Sequence, residues 1–536
     1  MTEGKKNQKQ SGFEDKTVPV PFALKNIKEN ITITTNTPTN PSKEEIINLA
    51  ISLHSEGKTS EAAKYYQYCI NKGFNNHIVF SNYALILRDL GKLEEAALLT
   101  KKAINIKPDS FEAYSNLGTI SKDIGNLEEA ELFTRKAIDI RPNCAKSYYN
   151  LGNILRVIGD LEKAELFTRK AIEIRPDYVN AYLNLGVILL LLGNLEEAEL
   201  FTRKAIEIRP DFVDAHLNLG NIFAEIGKLE EAKKEYKTCI ELEPNENSHI
   251  ANLLKILSSL CYWDEIENFL PNLKSVGLQG KAVNPLDLMY LEDNPENHLK
   301  RAIKYNQENQ ESKMNFLYNQ NSYRNNKINI GYFSSDFRYH PISILLKRVL
   351  ELHDNSRFNV YAYSFSKVND SYTQKVKNAV FCFREISHIS DAEIINIVRK
   401  DKIDIAIDLN GLTRFSRKNI FNYRLAPKQI NYLGYPGTLG SNSIDYIIAD
   451  KILIPEKNKQ FYSEKVLYMH NSFHPHDDTR QISNRKFRKE DLGLPRNGFI
   501  FTCFNNIKKI TRKEFNIWMN LLQKVEGSVL WMLKPH

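Results

Sequence analysis

The chain changes its hydropathy period partway along. From Pro108, in PDSFEAYSNLGTISKDIGNLEEAELFTRKAIDIR, apolar residues recur at three- and four-residue spacing in two runs, with Gly125 between them. The pattern restarts at Pro142, Pro176, Pro210 and Pro244, always 34 residues on. Each unit is expected to be a pair of helices: Gly125, Gly159, Gly193 and Gly227 end the first, and the proline opens the next unit where its missing N–H costs little. Ala130, Ala164, Ala198 and Ala232 mark the close approach of the two helices. Stepping back by the same interval adds units at 40 and 74. The unit from 244 is degraded, with Cys261 for the glycine and Ile266 for the alanine. The reading is a 1–39 tail, repeats over 40–261 (six good units at 40, 74, 108, 142, 176 and 210, then the degraded one) and a helical connector over 262–326.

From 327 the period becomes that of strands alternating with helices. Strands are expected at 327–333, 358–365, 403–409, 429–434 and 445–450, with amphipathic helices at 341–353 and 391–400 between them. Continuous apolar strands separated by helices imply a parallel, doubly wound sheet over 327–490. A further strand–helix–strand over 498–505, 511–525 and 528–534 begins a second α/β lobe at 491–536, which ends before a two-faced sheet is complete.

Composition narrows the class without changing this picture. Of the 536 residues, 42% are hydrophobic and 26% charged, with net charge +8, which excludes a wholly disordered chain and a histone-like nucleic-acid binder. No long uncharged apolar run and no apolar leader are present, so no membrane partner is expected. Six scattered cysteines suggest reduced thiols and the cytoplasm rather than disulfides or zinc.

The 34-residue length and the LG…G-x-LEEA…A-I…P pattern resemble the tetratricopeptide repeat. One polar residue keeps the same period on the first helices: Asn48, Asn82, Asn116, Asn150, Asn184, Asn218 and Asn252. A line of amides along a solenoid groove can clamp an extended peptide backbone, since Asn both donates and accepts; equally, it can set the stacking of neighbouring helices.

In a doubly wound sheet, chemistry is expected in loops after strands. Three such loops stand out. In Ser334–Pro341, His340 opens a helix, either as a proton-transfer group or as a cap. In Asp408-Leu409-Asn410-Gly411, the polar pair holds a sugar hydroxyl or caps the next element. In Gly434-Tyr435-Pro436-Gly437-Thr438, two glycines permit close backbone approach, and no Walker lysine follows. His470, His474, His476, Asp477 and Asp478 fit no metal-ligand spacing and read as a loop. Asn505 to Ile510, between strand and helix, offers amides and Lys508–Lys509, either as a diphosphate seat or as a solvated lysine pair.

Repeats followed in order by SSDFRYHP, DLNG, LGYPGT and CFNNIKKI resemble the O-linked N-acetylglucosamine transferases and their Spindly-like relatives, over residues 40–536. The resemblance implies a GT-B architecture of two Rossmann-like lobes. It implies inverting, metal-free and cofactor-free transfer of N-acetylglucosamine from UDP-N-acetylglucosamine to protein Ser or Thr, with acceptor polypeptides guided by the asparagine ladder. A non-catalytic peptide-binding scaffold and a fucosyltransferase using GDP-fucose are the alternatives. By the same resemblance, His340 is the active-site histidine, now usually given a substrate-positioning role, and Lys509 neutralises the leaving diphosphate. Asn506 stands for a family glutamine, Pro436, Gly437 and Thr438 lie beside donor and acceptor, and the seven asparagines contact the acceptor. Leu412 departs from the Tyr or His common after Asn-Gly. The uridine- and ribose-holding segments are expected outside these residues, so that the chain is a truncated gene product, a fragment or a partner for a separately encoded remainder, and full activity is not expected of these residues alone.

Overall fold

A computed structural model describes residues 41–309 and 326–533. The tail expected at 1–39 lies outside the described residues. The described residues form two compact units divided between Tyr65 and Tyr66. In the first, Lys43–Ser55 is a helix opened by a capping box, in which Ser42 and Glu45 bond each other's backbone N–H groups. The helix Thr59–Asn71 runs across the division.

The second unit continues as antiparallel pairs: His77–Asp89 with Leu93–Ile106, Phe111–Ile124 with Leu127–Ile140, Ala145–Ile158 with Leu161–Ile174, Val179–Leu192 with Leu195–Ile208, and Val213–Ile226 with Leu229–Leu242. Ser248–Leu260 and the short Trp263–Phe269 close the series. The mid-unit glycines are left-handed, with φ between 84° and 95° from Gly125 to Gly227, so they end the first helices as their position suggested. Cys261 adopts the same conformation at φ 56° without being glycine. Ala130, Ala164, Ala198 and Ala232 are fully buried between paired helices.

The connector is pinned by a buried arginine. Arg301, on Pro295–Glu308, donates to the carbonyls of Val276 (2.8 Å) and Leu273 (2.6 Å) and pairs with Glu292, so its charge is compensated inside the fold.

A seven-stranded, all-parallel sheet follows: β1 (Ile328–Ser334), β2 (Phe358–Ser364), β3 (Cys382–Glu385), β4 (Ile405–Asp408), β5 (Lys428–Asn431), β6 (Tyr446–Ala449) and β7 (Lys465–Tyr468). Its order is β3-β2-β1-β4-β5-β6-β7. Helices Pro341–Glu351 and Ser371–Ala379 pack on one face through Leu346, Leu350 and Val376, and Asp391–Lys400 packs on the other through Ile394, Ile395 and Val398. The doubly wound expectation therefore holds. β3, β7 and Ser371–Ala379 were not foreseen; both strands are four-residue edges whose side chains are half-buried or exposed, so no continuous apolar run announces them.

The terminal strand–helix–strand is β8 (Ile500–Cys503), Arg512–Lys524 and β9 (Val529–Met532), with β8 parallel to β9 in a separate two-stranded sheet. It leans on the last repeat. Trp263 Nε1 donates to the Ile510 carbonyl at 3.2 Å, Trp263 and Phe515 rings lie 5.1 Å apart, and Arg512 pairs with Asp264 and Glu267. No helix among the described residues is long and apolar enough to cross a membrane.

Candidate functional site

The strand order reverses direction between β1 and β4, which are neighbours although two other strands separate them in sequence. Their carboxyl ends form the crevice where such sheets place ligands. The loops after these two strands are tied by Asn410. Its Oδ1 accepts the Ser335 N–H at 2.8 Å, and its Nδ2 reaches Ser335 Oγ (2.9 Å), Asp336 Oδ2 (3.0 Å) and Thr413 Oγ1 (3.1 Å). Asn410 is thus a structural tie, and no free amide remains there for a sugar hydroxyl.

Asp408 fixes the turn that aims Asn410. Its Oδ1 accepts the backbone N–H groups of Asn410 (2.9 Å) and Gly411 (3.1 Å), while Oδ2 is buried with no hydrogen-bond partner. Burial pushes its carboxyl up to about 6, against the pull of those N–H groups and of Lys418. Leu412, the departure from the family pattern, is a core residue, and its carbonyl accepts from Asn284 Nδ2 of the connector at 2.9 Å.

His340 caps the helix that follows β1. Its Nδ1 accepts the Ile342 N–H at 3.3 Å, in a geometry normally supplied by Ser or Asn. A ring nitrogen that accepts carries no proton, so the neutral imidazole keeps its proton on Nε2. Burial holds the ring below its ordinary pKa, outweighing the Asp336 carboxylate 3.7 Å away. Near neutral pH this half-buried side chain is therefore a neutral Nε2–H donor, suited to holding an oxygen in place rather than to removing a proton.

The 434–438 loop folds down beside this crevice. A Cβ on Gly434 would stand 2.0 Å from the Leu409 carbonyl oxygen, so only glycine permits the approach of the loops after β4 and β5. Tyr435 is buried beneath Gly411, and Tyr462 donates to the Pro436 carbonyl at 3.1 Å. Gly437 and Thr438 are also buried. Thr438 Oγ1 lies 2.8 Å from Glu464 Oε2 and accepts the N–H groups of Ser463 and Gly440, while Glu464 Oε1 accepts the Leu439 N–H at 2.7 Å. The Thr438 hydroxyl anchors the loop and is not presented as a ligand contact. Glu464 had no sequence signal: it is one acidic residue before an edge strand, and only the fold brings it to Thr438.

Asn506 and Lys509 belong to a different place. Asn506 caps a single 3-10 turn, Ile507–Lys509, which precedes Arg512–Lys524 and packs on Ser248–Leu260. Lys509 therefore lies ahead of the helix, not in its first turn. The two lysines differ: Lys508 is half-buried, its pKa lowered by burial and by the nearby Lys255 charge, whereas Lys509 is exposed. Among the described residues no hydrogen bond or ion pair joins Lys509 to the His340 cluster.

The sequence profile described as Glycosyl transferase family 41 matches residues 304–489, the stretch that builds the sheet and both tied loops. Tetratricopeptide-repeat profiles match 84–125, 111–144, 145–178, 179–212 and 213–246 ahead of it. A relative from Arabidopsis thaliana named as probable UDP-N-acetylglucosamine–peptide N-acetylglucosaminyltransferase SEC is 36% identical over 39% of this chain and 22% of its own length. A Petunia hybrida protein named as probable UDP-N-acetylglucosamine–peptide N-acetylglucosaminyltransferase SPINDLY is 32% identical over 40% of this chain and 24% of its own length. The chain thus matches less than a quarter of either relative. Among solved structures, a Thermobaculum terrenum O-GlcNAc transferase mutant is similar at TM-score 0.48 and 22% identity, covering 72% of this chain and 68% of that one.

Within the family 41 segment, His340 and the 436–438 loop come to one end of the sheet, as their positions after strands suggested. The ladder residues distribute unevenly. Asn184 and Asn218 are buried, and their Nδ2 groups donate to Thr168 (3.2 Å) and Thr202 (2.9 Å) of the preceding units. Asn82 donates to the Tyr66 hydroxyl and Asn116 to Ser81, both at 3.1 Å. Asn150 and Asn252 are half-exposed, and Asn48, in the first unit, is exposed. At four of seven positions the amide N–H thus holds the stack. No cluster of three or more His, Cys, Asp or Glu suited to a metal ion occurs among the described residues.

Proposed function

We propose that this chain is a protein O-glycosyltransferase that moves N-acetylglucosamine from UDP-N-acetylglucosamine to Ser or Thr hydroxyls of polypeptides, with inversion. The observation that carries the reading is a family 41 segment whose His340 presents an Nε2–H donor at the β1/β4 crevice, directly behind a peptide-binding type of repeat array. Both curated relatives are named as probable UDP-N-acetylglucosamine–peptide N-acetylglucosaminyltransferases, which supports the donor and the peptide acceptor.

In this reading His340 holds a substrate oxygen through Nε2–H, and the Ile342 N–H on Nδ1 fixes the tautomer. The backbone of Pro436 and Gly437 lies beside donor and acceptor. Lys509, with Asn506 at its turn, faces the diphosphate where negative charge grows as the bond to the anomeric carbon breaks. Acceptor chains run along the repeats and meet the amide carbonyls of the ladder. Six cysteines without disulfides support a cytosolic setting.

The test is transfer of radiolabelled N-acetylglucosamine from UDP-N-acetylglucosamine to a Ser/Thr peptide library, with GDP-fucose as competing donor. Label entering peptides only from the UDP sugar supports the assignment. Label entering only from GDP-fucose, or from neither donor, overturns it for this chain. Lys509→Ala is expected to weaken UDP binding in calorimetric titration while Lys508→Ala does not; equal effects would remove Lys509 from the phosphate role.

A further inference from the structure

Two buried oxygens at the floor of the crevice have no hydrogen-bond partner among the described residues, and the sheet sets them side by side. They are Asp408 Oδ2 and Asn431 Oδ1, on residues 1% and 0% exposed. Asp408 on β4 and Asn431 on β5 are register partners in parallel strands. Neighbouring strands run about 4.8 Å apart, and register partners present their side chains to the same face. Buried acceptors are seldom left unmet, and two of them in adjacent positions call for a shared donor.

The other atoms of both side chains are already committed. Asp408 Oδ1 accepts the N–H groups of Asn410 and Gly411. Asn431 Nδ2 donates to the carbonyls of Tyr435 at 3.1 Å and Gly437 at 3.4 Å. Turning the amide over would set its oxygen against those two carbonyls, so its orientation is fixed. One hydrogen then satisfies both unmet oxygens: a proton on Asp408 Oδ2, donated to Asn431 Oδ1. A water is the other way to meet Asp408. The cavity beside Asp408 and Lys418 is about 10 Å³, barely room for one molecule, and Asn431 does not line it. A water there leaves the amide oxygen unmet.

We propose that Asp408 keeps its proton and donates it to Asn431, forming a pH-sensitive latch between the turn after β4 and the 435–438 loop. Closed, it lets Asn431 hold the Tyr435 and Gly437 carbonyls from beneath. Open, it sets a carboxylate against the amide oxygen and pushes away the side chain that carries the loop. The latch stands without the transferase reading; in that reading, the loop it holds is the one beside donor and acceptor.

The surrounding groups set the direction of the switch. Burial raises the Asp408 carboxyl to about 6, and a partner for the neutral acid raises it further. Lys418, on the 3-10 segment Lys418–Tyr423, pulls the other way. Asp336, on the β1 loop and bonded to Asn410 Nδ2 at 3.0 Å, is a like charge that favours the neutral acid. β5 and its loop bring Asn431 and Tyr435, whose hydroxyl burial keeps protonated, and the connector brings Asn306. The latch is therefore closed in mildly acidic solution and opens as pH rises past about 6.

The test uses the full chain across a pH series from 5 to 8, with circular dichroism melting to verify folding of each variant. Infrared spectroscopy reads the band of a protonated buried carboxyl, and hydrogen exchange reads the 434–440 segment. The wild type is expected to show the acid band at pH 5, lose it towards pH 8, and differ in this from Asp408→Asn. That variant offers an amide N–H to Asn431 where the acid offers its O–H. It should match wild-type protection of 434–440 at pH 5 and exceed it about tenfold at pH 8. Asn431→Leu removes the acceptor at similar volume, so the Asp408 band should be lost at lower pH than in the wild type. No acid band in the wild type, an exchange gap that does not change with pH, a less protected segment in Asp408→Asn at pH 5, or an Asp408 midpoint unmoved by Asn431→Leu overturns the proposal.

Discussion

Asp408→Asn tests the electrostatics of the β1/β4 crevice. In the folded chain the Asp408 carboxyl is pushed up to about 6 from its ordinary value of about 3.9, because it is buried and one oxygen has no partner. A raised carboxyl pKa means that the folded state holds the proton more tightly than the unfolded state. Its contribution is therefore most favourable below the unfolded pKa, is lost as pH rises towards 6, and is flat above that, amounting to ~3 kcal/mol in all. Asparagine keeps an Oδ1 for the Asn410 and Gly411 N–H groups and never ionises. If its Nδ2 finds no acceptor, a constant penalty of about 1–3 kcal/mol is added, which shifts the curve without changing its slope. The slope is what matters. Between pH 5 and pH 8 the stability of Asp408→Asn relative to wild type should rise by about 1.4 kcal/mol, tenfold in protection. Hydrogen exchange of the β1 and β4 amides, corrected for intrinsic rates, reads this locally where a global melt would be dominated by the repeats. A wild-type-to-variant gap that does not change with pH would refute the assignment of a raised pKa to Asp408.

Three further outcomes are expected. Gly434→Ala drives a Cβ into the Leu409 carbonyl and should destabilise the sheet by roughly 1–3 kcal/mol, seen as early exchange in the 434–438 loop. His340→Ala should cost about 1 kcal/mol through the lost cap, whereas His340→Asn keeps a capping oxygen; if His340 also positions substrate, both variants lose transfer, and retained transfer in His340→Asn would reduce the residue to a cap. Asn184→Ala and Asn218→Ala should each lower repeat stability by about 0.5–1.5 kcal/mol in urea melts by removing the bond to Thr168 or Thr202; unchanged stability with weakened peptide binding would return both residues to a purely ligand-facing role.

Much of this fold was legible because its signals are periodic. A 34-residue interval, with small residues at Ala130 to Ala232 and glycine ending each first helix, leaves helix pairs as the one arrangement that buries both apolar runs. The central strands were legible because β1 and β4 are buried along nearly their whole length and read as mostly apolar runs. The edges β3 and β7 were not, since a strand half open to solvent needs no such run. Inside the site, sequence position found the loops but not the roles within them. That Asn410 reaches 75 residues back to Ser335, or that Glu464 holds Thr438, depends on strand order, and strand order has no local signature. The asparagine ladder shows the same limit from the other side. Period alone placed all seven residues on equivalent turns, yet Asn184 and Asn218 are buried against threonines while Asn150 is half-exposed. A repeat in sequence fixes equivalent backbone positions; the neighbour that each side chain meets is set by the adjoining unit, and that is where one residue type at one spacing divides into members that hold the stack and members open to solvent.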